Sequence, residues 1–232
     1  MEEFALIHRI FFADGAWLTF GRGILVTVEM SLLSLFAGTL LGAVLCFFRM
    51  SRRKLLCFGA KICISVLRGS PVLMLLMLLF YGVLAGSGLS PISVAVIAFS
   101  LHTSAHVAEL IRAAVSATDH GEVEAARSLG FSKWQAFRLV TLPQLVRIAR
   151  PVYQSTIVNL IQWTSVVGYI TITDLTRVIY NTASRTMQPM ITILGGMVIY
   201  LAMSYCVYGI FAYWDRRDQK GDEAIEEKGS TA

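Results

Sequence analysis

Charge is what this sequence has least of. Asp, Glu, Lys and Arg make up 15% of its 232 residues, against about 25% in soluble domains. The net charge of +5 does not form the distributed basic surface that nucleic acid requires. The cations are gathered between apolar runs, as membrane-topology signals are. Cysteine is sparse, and Cys46, Cys57, Cys63 and Cys206 contain no Cys-x-x-Cys pair. That spacing argues against a zinc site or a disulfide framework and leaves buried free thiols as the expectation. Met1-Glu2-Glu3 is not the basic start of a cleavable signal peptide, so the first apolar run is expected to remain as an anchor. No G-x-x-x-x-G-K-[ST] occurs, so the chain has no P-loop for ATP phosphates. A strong nucleophile motif and an internal repeat are missing as well.

Apolar length is what the chain has instead. Hydrophobic residues reach 56% and the mean hydropathy is +0.65, beyond the range of an ordinary soluble domain. The pattern predicts an all-α integral membrane protein with five spans, at about 23–48, 56–84, 92–114, 151–172 and 190–213. Residues 1–214 then form one transmembrane domain, with an aromatic interfacial segment before the first span. A charged, disordered tail is expected at 215–232. The second span is interrupted by Lys61, Arg68 and Gly69-Ser70-Pro71, and a polar outer loop is expected at 173–188. Arg9, Arg22, Arg177 and Arg185 fall on one side of this topology. Fourteen of the other Lys and Arg fall on the opposite side, with Lys61 and Arg68 unassigned. The positive-inside rule then puts the N-terminus outside and the C-terminus in the cytoplasm.

The loop at 115–150 is amphipathic and basic. Residues 122–129 are helix formers, Gly130 is placed to end that helix, and Ser132 to cap another. The second helix should stop near Thr141, because Pro143 restricts the residue before it. Two short helices joined at a glycine make a rigid cytoplasmic knob, suited to docking rather than to catalysis.

Glu124-Ala125-Ala126, Gly130, Leu142-Pro143-Gln144 and Pro151 together resemble the EAA loop of ABC-importer permeases. The chain from about 21 to 214 is similar to the polar amino-acid branch of that family, the histidine, glutamine, arginine and cystine permeases. Arg68-Gly69-Ser70-Pro71, Ala108-Glu109 with Arg112-Ala113, and Thr164-Ser165 resemble that branch's second-, third- and fourth-span motifs. The chain departs from it at His106 (usually tyrosine), Asp119 (usually proline), Ser155 (usually asparagine) and Gln162-Trp163 (usually Lys-Asp). The last departure removes an acid–base pair and weakens any inference to strongly cationic substrates. The resemblance implies a type I ABC importer permease fold in a bacterial inner membrane, paired with a second permease, the same or homologous. ABC ATPase subunits carrying ATP and Mg, and an extracytoplasmic substrate-binding protein, would complete the assembly. It implies no cofactor in this chain, and coupling through Glu124, Ala125, Ala126 and Gly130.

Polar residues inside the spans are the other candidates. His102, His106 and Glu109 lie at i, i+4 and i+7 and share a helical face. Groups of this kind rarely face lipid. They can hydrogen-bond between helices, ligate a metal or line a substrate path, and the metal reading lacks a fourth ligand. Ser155, Asn159 and Gln162 repeat the spacing on the fourth span, followed by Thr164 and Ser165, which suits a path or a dimer seam equally. Glu29, near the outer end of the first span, reads as structural. The leading reading is a permease subunit that couples ATPase motion to alternating access for polar amino acids. The alternatives are a multi-pass membrane enzyme or metal-binding protein using His102, His106 and Glu109, and a passive channel or scaffold.

Overall fold

A computed structural model describes residues 2–12 and 15–230, with side chains at 7–12, 15–119 and 121–217. Among the described residues there are only helices: α1 (Glu2–Phe11), α2 (Ala16–Arg49), α3 (Lys54–Gly69), α4 (Val72–Met77), α5 (Pro91–Ala117), α6 (His120–Ser128), α7 (Lys133–Ala136), α8 (Leu142–Trp163), α9 (Leu175–Thr186) and α10 (Pro189–Ser230). Two π-helical segments, Leu78–Val83 and Phe137–Thr141, and a 3-10 segment, Thr164–Ile170, continue α4, α7 and α8.

The centre of the fold is the pair α2–α5. On α2, Met30, Ser34, Gly38, Gly42 and Cys46 recur every fourth residue and are buried, so they form one stripe along the helix. The small members let α5 approach closely, which is how membrane helices associate when lipid offers no hydrophobic drive. A Cβ on Gly42 would lie 2.7 Å from the Val107 Cβ and 2.8 Å from the Ser104 carbonyl oxygen. One on Gly38 would lie 2.9 Å from the Thr103 Cβ. Gly42→Val is therefore expected to push α2 off α5 and lower the thermal midpoint in detergent by several degrees. Gly59→Val, on an open face of α3, should leave it unchanged. Equal midpoints for the two variants would refute the close-approach account. The main apolar core forms where this pair meets α4, α8 and the 3-10 segment, around Met30, Leu76, Phe99, Leu160, Val167 and Ile170.

The expected second span is not straight. Ser70 is extended (φ −87°, ψ 134°) before Pro71, and the axis turns by 105° between Lys54–Gly69 and Val72–Val83. Proline explains the break: it removes a donor and disfavours helix at the residue before it. Among the described residues three helices are long and apolar enough to cross a membrane: α2, α5 and residues 189–217 of α10. The number becomes four if the bent pair counts as one span. The five expected crossings are thus not all present as long apolar helices. α8 begins nine residues before the expected 151 and ends its α-helical course at Trp163, and its apolar character is cut by arginines and by the Ser155, Asn159, Gln162 series.

Three other expectations change. Residues 173–188 form a packed helix, not a polar loop: Asp174 caps α9 by accepting from the Thr176 and Arg177 N–H groups at 3.1 and 3.0 Å. Leu175, Val178 and Ile179 pack with Phe20 of α2 beside Tyr200 and Met203 of α10. Burial pushes the Asp174 carboxyl above its usual range, and those backbone donors pull it back. Past Trp214, α10 continues as helix to Ser230, where a disordered tail was expected. Helix formers such as Glu223, Ala224 and Glu226 extend a helix already nucleated in the span; residues 231–232 lie outside the described residues. Of the four free cysteines only Cys46 is buried, while Cys63 and Cys206 are exposed, because a membrane helix turns apolar residues outward to lipid as readily as inward.

Candidate functional site

The knob is built as its residues dictate at the turn and differently beyond it. Asp119 accepts from the Gly121 N–H at 2.7 Å and caps α6. At the other end Gly130 takes φ +91°, which a residue without Cβ adopts freely. The Phe131 N–H donates to the Ala126 carbonyl at 3.2 Å and the Gly130 N–H to the Arg127 carbonyl at 3.1 Å. That pair of bonds is a Schellman motif, and the Arg127 guanidinium ties the turn further by donating to the Phe131 carbonyl at 2.9 Å. Ser132 and Gln135 form a reciprocal capping box at the start of α7.

The helix does not stop at Thr141. The Leu142 N–H donates to the Phe137 carbonyl, five residues back, and Leu142 itself is helical (φ −64°, ψ −44°). The π turn passes the chain into α8 with Pro143 in its first turn. The wider π turn before it makes room for the proline ring and its missing donor, so it is accommodated rather than helix-ending. The knob is therefore continuous with α8.

Glu124 and Ala125 are exposed on α6, whereas Ala126 is buried against its own protein. Gly130 is exposed with open space about its Cα. Around them stand apolar side chains that sequence reasoning did not single out: Leu129 is 80% exposed and Trp134 67%, with Phe131 and Leu139 also exposed. Their signal was available as apolar residues in a polar, basic loop, where neither core nor lipid accounts for them.

Within the bundle the structure separates the residues that spacing grouped. The His102 and His106 rings lie 5.1 Å apart, and Trp163 of α8 packs against both, at 4.6 and 5.2 Å. Glu109 is held by two arginines instead: Arg112 Nε at 2.7 Å and Arg49 Nε at 3.5 Å. No group of three or more His, Cys, Asp or Glu able to hold a metal occurs among the described residues. Ser155, Asn159 and Gln162 are all exposed along one face of α8. Thr164 is buried and donates to the Ile161 carbonyl at 2.7 Å. Glu29, expected in a structural role, is exposed on α2.

Two cavities flank the first turn of α9. One, of about 580 Å³, is lined by Ser165, Gly168, Tyr169, Thr171, Thr176, Arg177 and Tyr180. The other, of about 500 Å³, is lined by Gln162, Thr176, Tyr180 and residues of α10 including Tyr200 and Ser204. Thr176, Arg177 and Tyr180 were missed in the sequence because their segment read as a loop.

Residues 17–219 match the model of the binding-protein-dependent transport system inner membrane components. The chain belongs to that family. A probable amino-acid ABC transporter permease of Bacillus subtilis, YckA, is 41% identical over 155 residues, covering 66% of this chain and 69% of YckA. The histidine/lysine/arginine/ornithine transport system permease HisM of Salmonella typhimurium is 29% identical over 206 residues, 84% of this chain and 88% of HisM. A crystal structure of an amino acid ABC transporter with histidines superposes with a TM-score of 0.77 at 30% identity, covering 86% of this chain and 94% of that one.

As an ABC-importer permease, the chain is an inner-membrane transport subunit and not an enzyme. Permeases of this family work with separate ATPase subunits, a second permease and a substrate-binding protein. The alternative of a membrane enzyme finds no support: its three residues are dispersed between an aromatic stack and an arginine clamp.

Proposed function

We propose that this permease carries polar amino acids or their close derivatives. What supports the class is the agreement of its relatives, a probable amino-acid permease and a histidine/lysine/arginine/ornithine permease. The knob docks on the ATPase through Glu124, Ala125 and Gly130, aided by the exposed Leu129 and Trp134, while Ala126 packs α6 onto its own protein. It lies in the cytoplasm with the C-terminus, and the N-terminus lies outside, as the distribution of Lys and Arg favours. Residues 1–214 form the permease domain, with five passages that include the bent pair and α8. ATP and Mg stay on the ATPase, and this chain holds no cofactor.

The exposed stripe Ser155, Asn159, Gln162 faces the second permease and the substrate path, because a polar face at membrane depth is poorly placed against lipid. Ser165 borders the same path, and Thr164 supports it from the core. His102 and His106, with Trp163, form its aromatic flank, and Glu109 with its arginines closes the knob side. ATP-driven closure of the ATPase pair draws the two knobs together and switches the path from one side of the membrane to the other.

The test is ATP-dependent uptake into proteoliposomes holding the permease, its ATPase and its binding protein, with labelled histidine, arginine, glutamine and cystine. Saturable uptake of at least one is expected. A functional complex that moves none of them, but moves a sugar or peptide, would sink the amino-acid assignment.

A further inference from the structure

The docking helix α6 is joined to the bundle by two short chain connections. On one side Thr118 and Asp119 are extended (ψ 139° and 113°) between α5 and α6. On the other is the left-handed Gly130. Besides these connections, α6 packs on α7 and on the 137–141 turn.

A third connection crosses the gap through a side chain. Gln144, in the first turn of α8, is half-buried and reaches back over more than 20 residues. Its Oε1 accepts from the Asp119 N–H at 3.1 Å, and its Nε2 donates to the Glu122 carboxylate. One carboxamide thus holds the capping residue and the first turn of α6 at once. The amide does both through two separate atoms on one side chain, whereas a carboxylate accepts but cannot donate, an ammonium donates but cannot accept, and leucine does neither. The bond to Glu122 is charge-assisted, which makes it the firmer of the two.

We propose that Gln144 is the strut that makes α6 and α8 move as one body, fixing the first turn of α6 to the first turn of α8 so that displacement of α6 reaches the polar face of α8. This rests on the reading of α6 as the ATPase-docking element. Gln144 is a positioning residue: it touches neither substrate nor nucleotide and acts through α6.

The decisive readout is the amount of substrate moved per ATP hydrolysed, measured in proteoliposomes with ATPase and binding protein, using the labelled amino acid that wild type transports. A residue that merely stabilises the fold would lower transport and hydrolysis together and leave their ratio unchanged. Gln144→Glu places a second carboxylate against Glu122 and removes the donor. Its ratio is expected to fall roughly tenfold, the factor that loss of about one charge-assisted hydrogen bond supplies in an equilibrium, while hydrolysis continues. Gln144→Leu should fall similarly. The double variant Glu122→Gln with Gln144→Glu reverses donor and acceptor, keeps the bond to the Asp119 N–H, and should restore the ratio.

An unchanged ratio in Gln144→Glu, or a double variant no better than the single one, overturns the strut. If Gln144→Glu loses its ATPase altogether, recovery of the complex by the double variant supports the strut and failure to recover overturns it. Failure of wild type itself to hold the ATPase defeats the docking reading, and the strut's transmitting role with it.

Discussion

Gly130→Pro should nearly abolish ATP-driven uptake while the protein still inserts in the membrane. Gly130 sits at φ +91°, and proline is confined to about −65°. The substitution also removes the N–H that donates to the Arg127 carbonyl and displaces Phe131 from its bond to Ala126. A misplaced proline costs about 3 kcal/mol or more, so correctly shaped knobs would fall by about two orders of magnitude. Nothing in the bundle packs against this glycine, so insertion and monomer stability should be spared. Gly130→Ala carries only the left-handed penalty of about 1–2 kcal/mol, and uptake should drop by roughly tenfold. Uptake by the proline variant within about twofold of wild type, at equal protein in the membrane, would remove the turn from the coupling mechanism.

Leu129→Asp should separate permease from ATPase without disturbing either. The side chain is 80% exposed, so its removal from the isolated chain changes stability by no more than about 0.5 kcal/mol. A docked Leu129 would be desolvated, and a carboxylate in its place would be buried without a partner. Centrally placed contacts of this type are worth about 2 kcal/mol or more, equivalent to at least about thirtyfold in affinity. Pull-down of the ATPase should therefore fail at an unchanged melting temperature. Retention of the ATPase at wild-type affinity would show that the exposed apolar residues of the knob serve something other than docking.

The turn on which the first prediction rests was legible in the residues. Gly130 and Ser132 act through their own backbones, and local chemistry at such positions is not overridden by packing. Pro143 was misjudged because its effect depends on what precedes it: behind a π turn the lost donor has no consequence, and α7 runs into α8. The helix at 175–186 escaped for the opposite reason. Thr, Arg and Asn dominate its composition, and its apolar residues at 175, 178, 179 and 183 declare a helix face only by their period. The 105° bend at Ser70-Pro71 was visible as an interruption but not as an angle, since proline sets where a helix breaks and the neighbours set its direction.

The side-chain grouping in the third span shows the limit most clearly. Spacing placed His102, His106 and Glu109 on one face of α5, and so far as a helix alone is concerned that is correct. Which of them act together depended on residues distant in the chain: Trp163 took up the two imidazoles, and Arg49 drew Glu109 to the end of α2. Hydropathy, the positions of glycine and proline, and the EAA loop residues were enough to indicate a membrane permease with a two-helix knob turned at Gly130, because these act over a few neighbouring residues. The burial of Ala126 beside an exposed Ala125, the reach of Gln144 to Asp119 and Glu122, and the cavities beside α9 were decided by tertiary structure, because they join side chains whose separation along the chain carries no information about their separation in space.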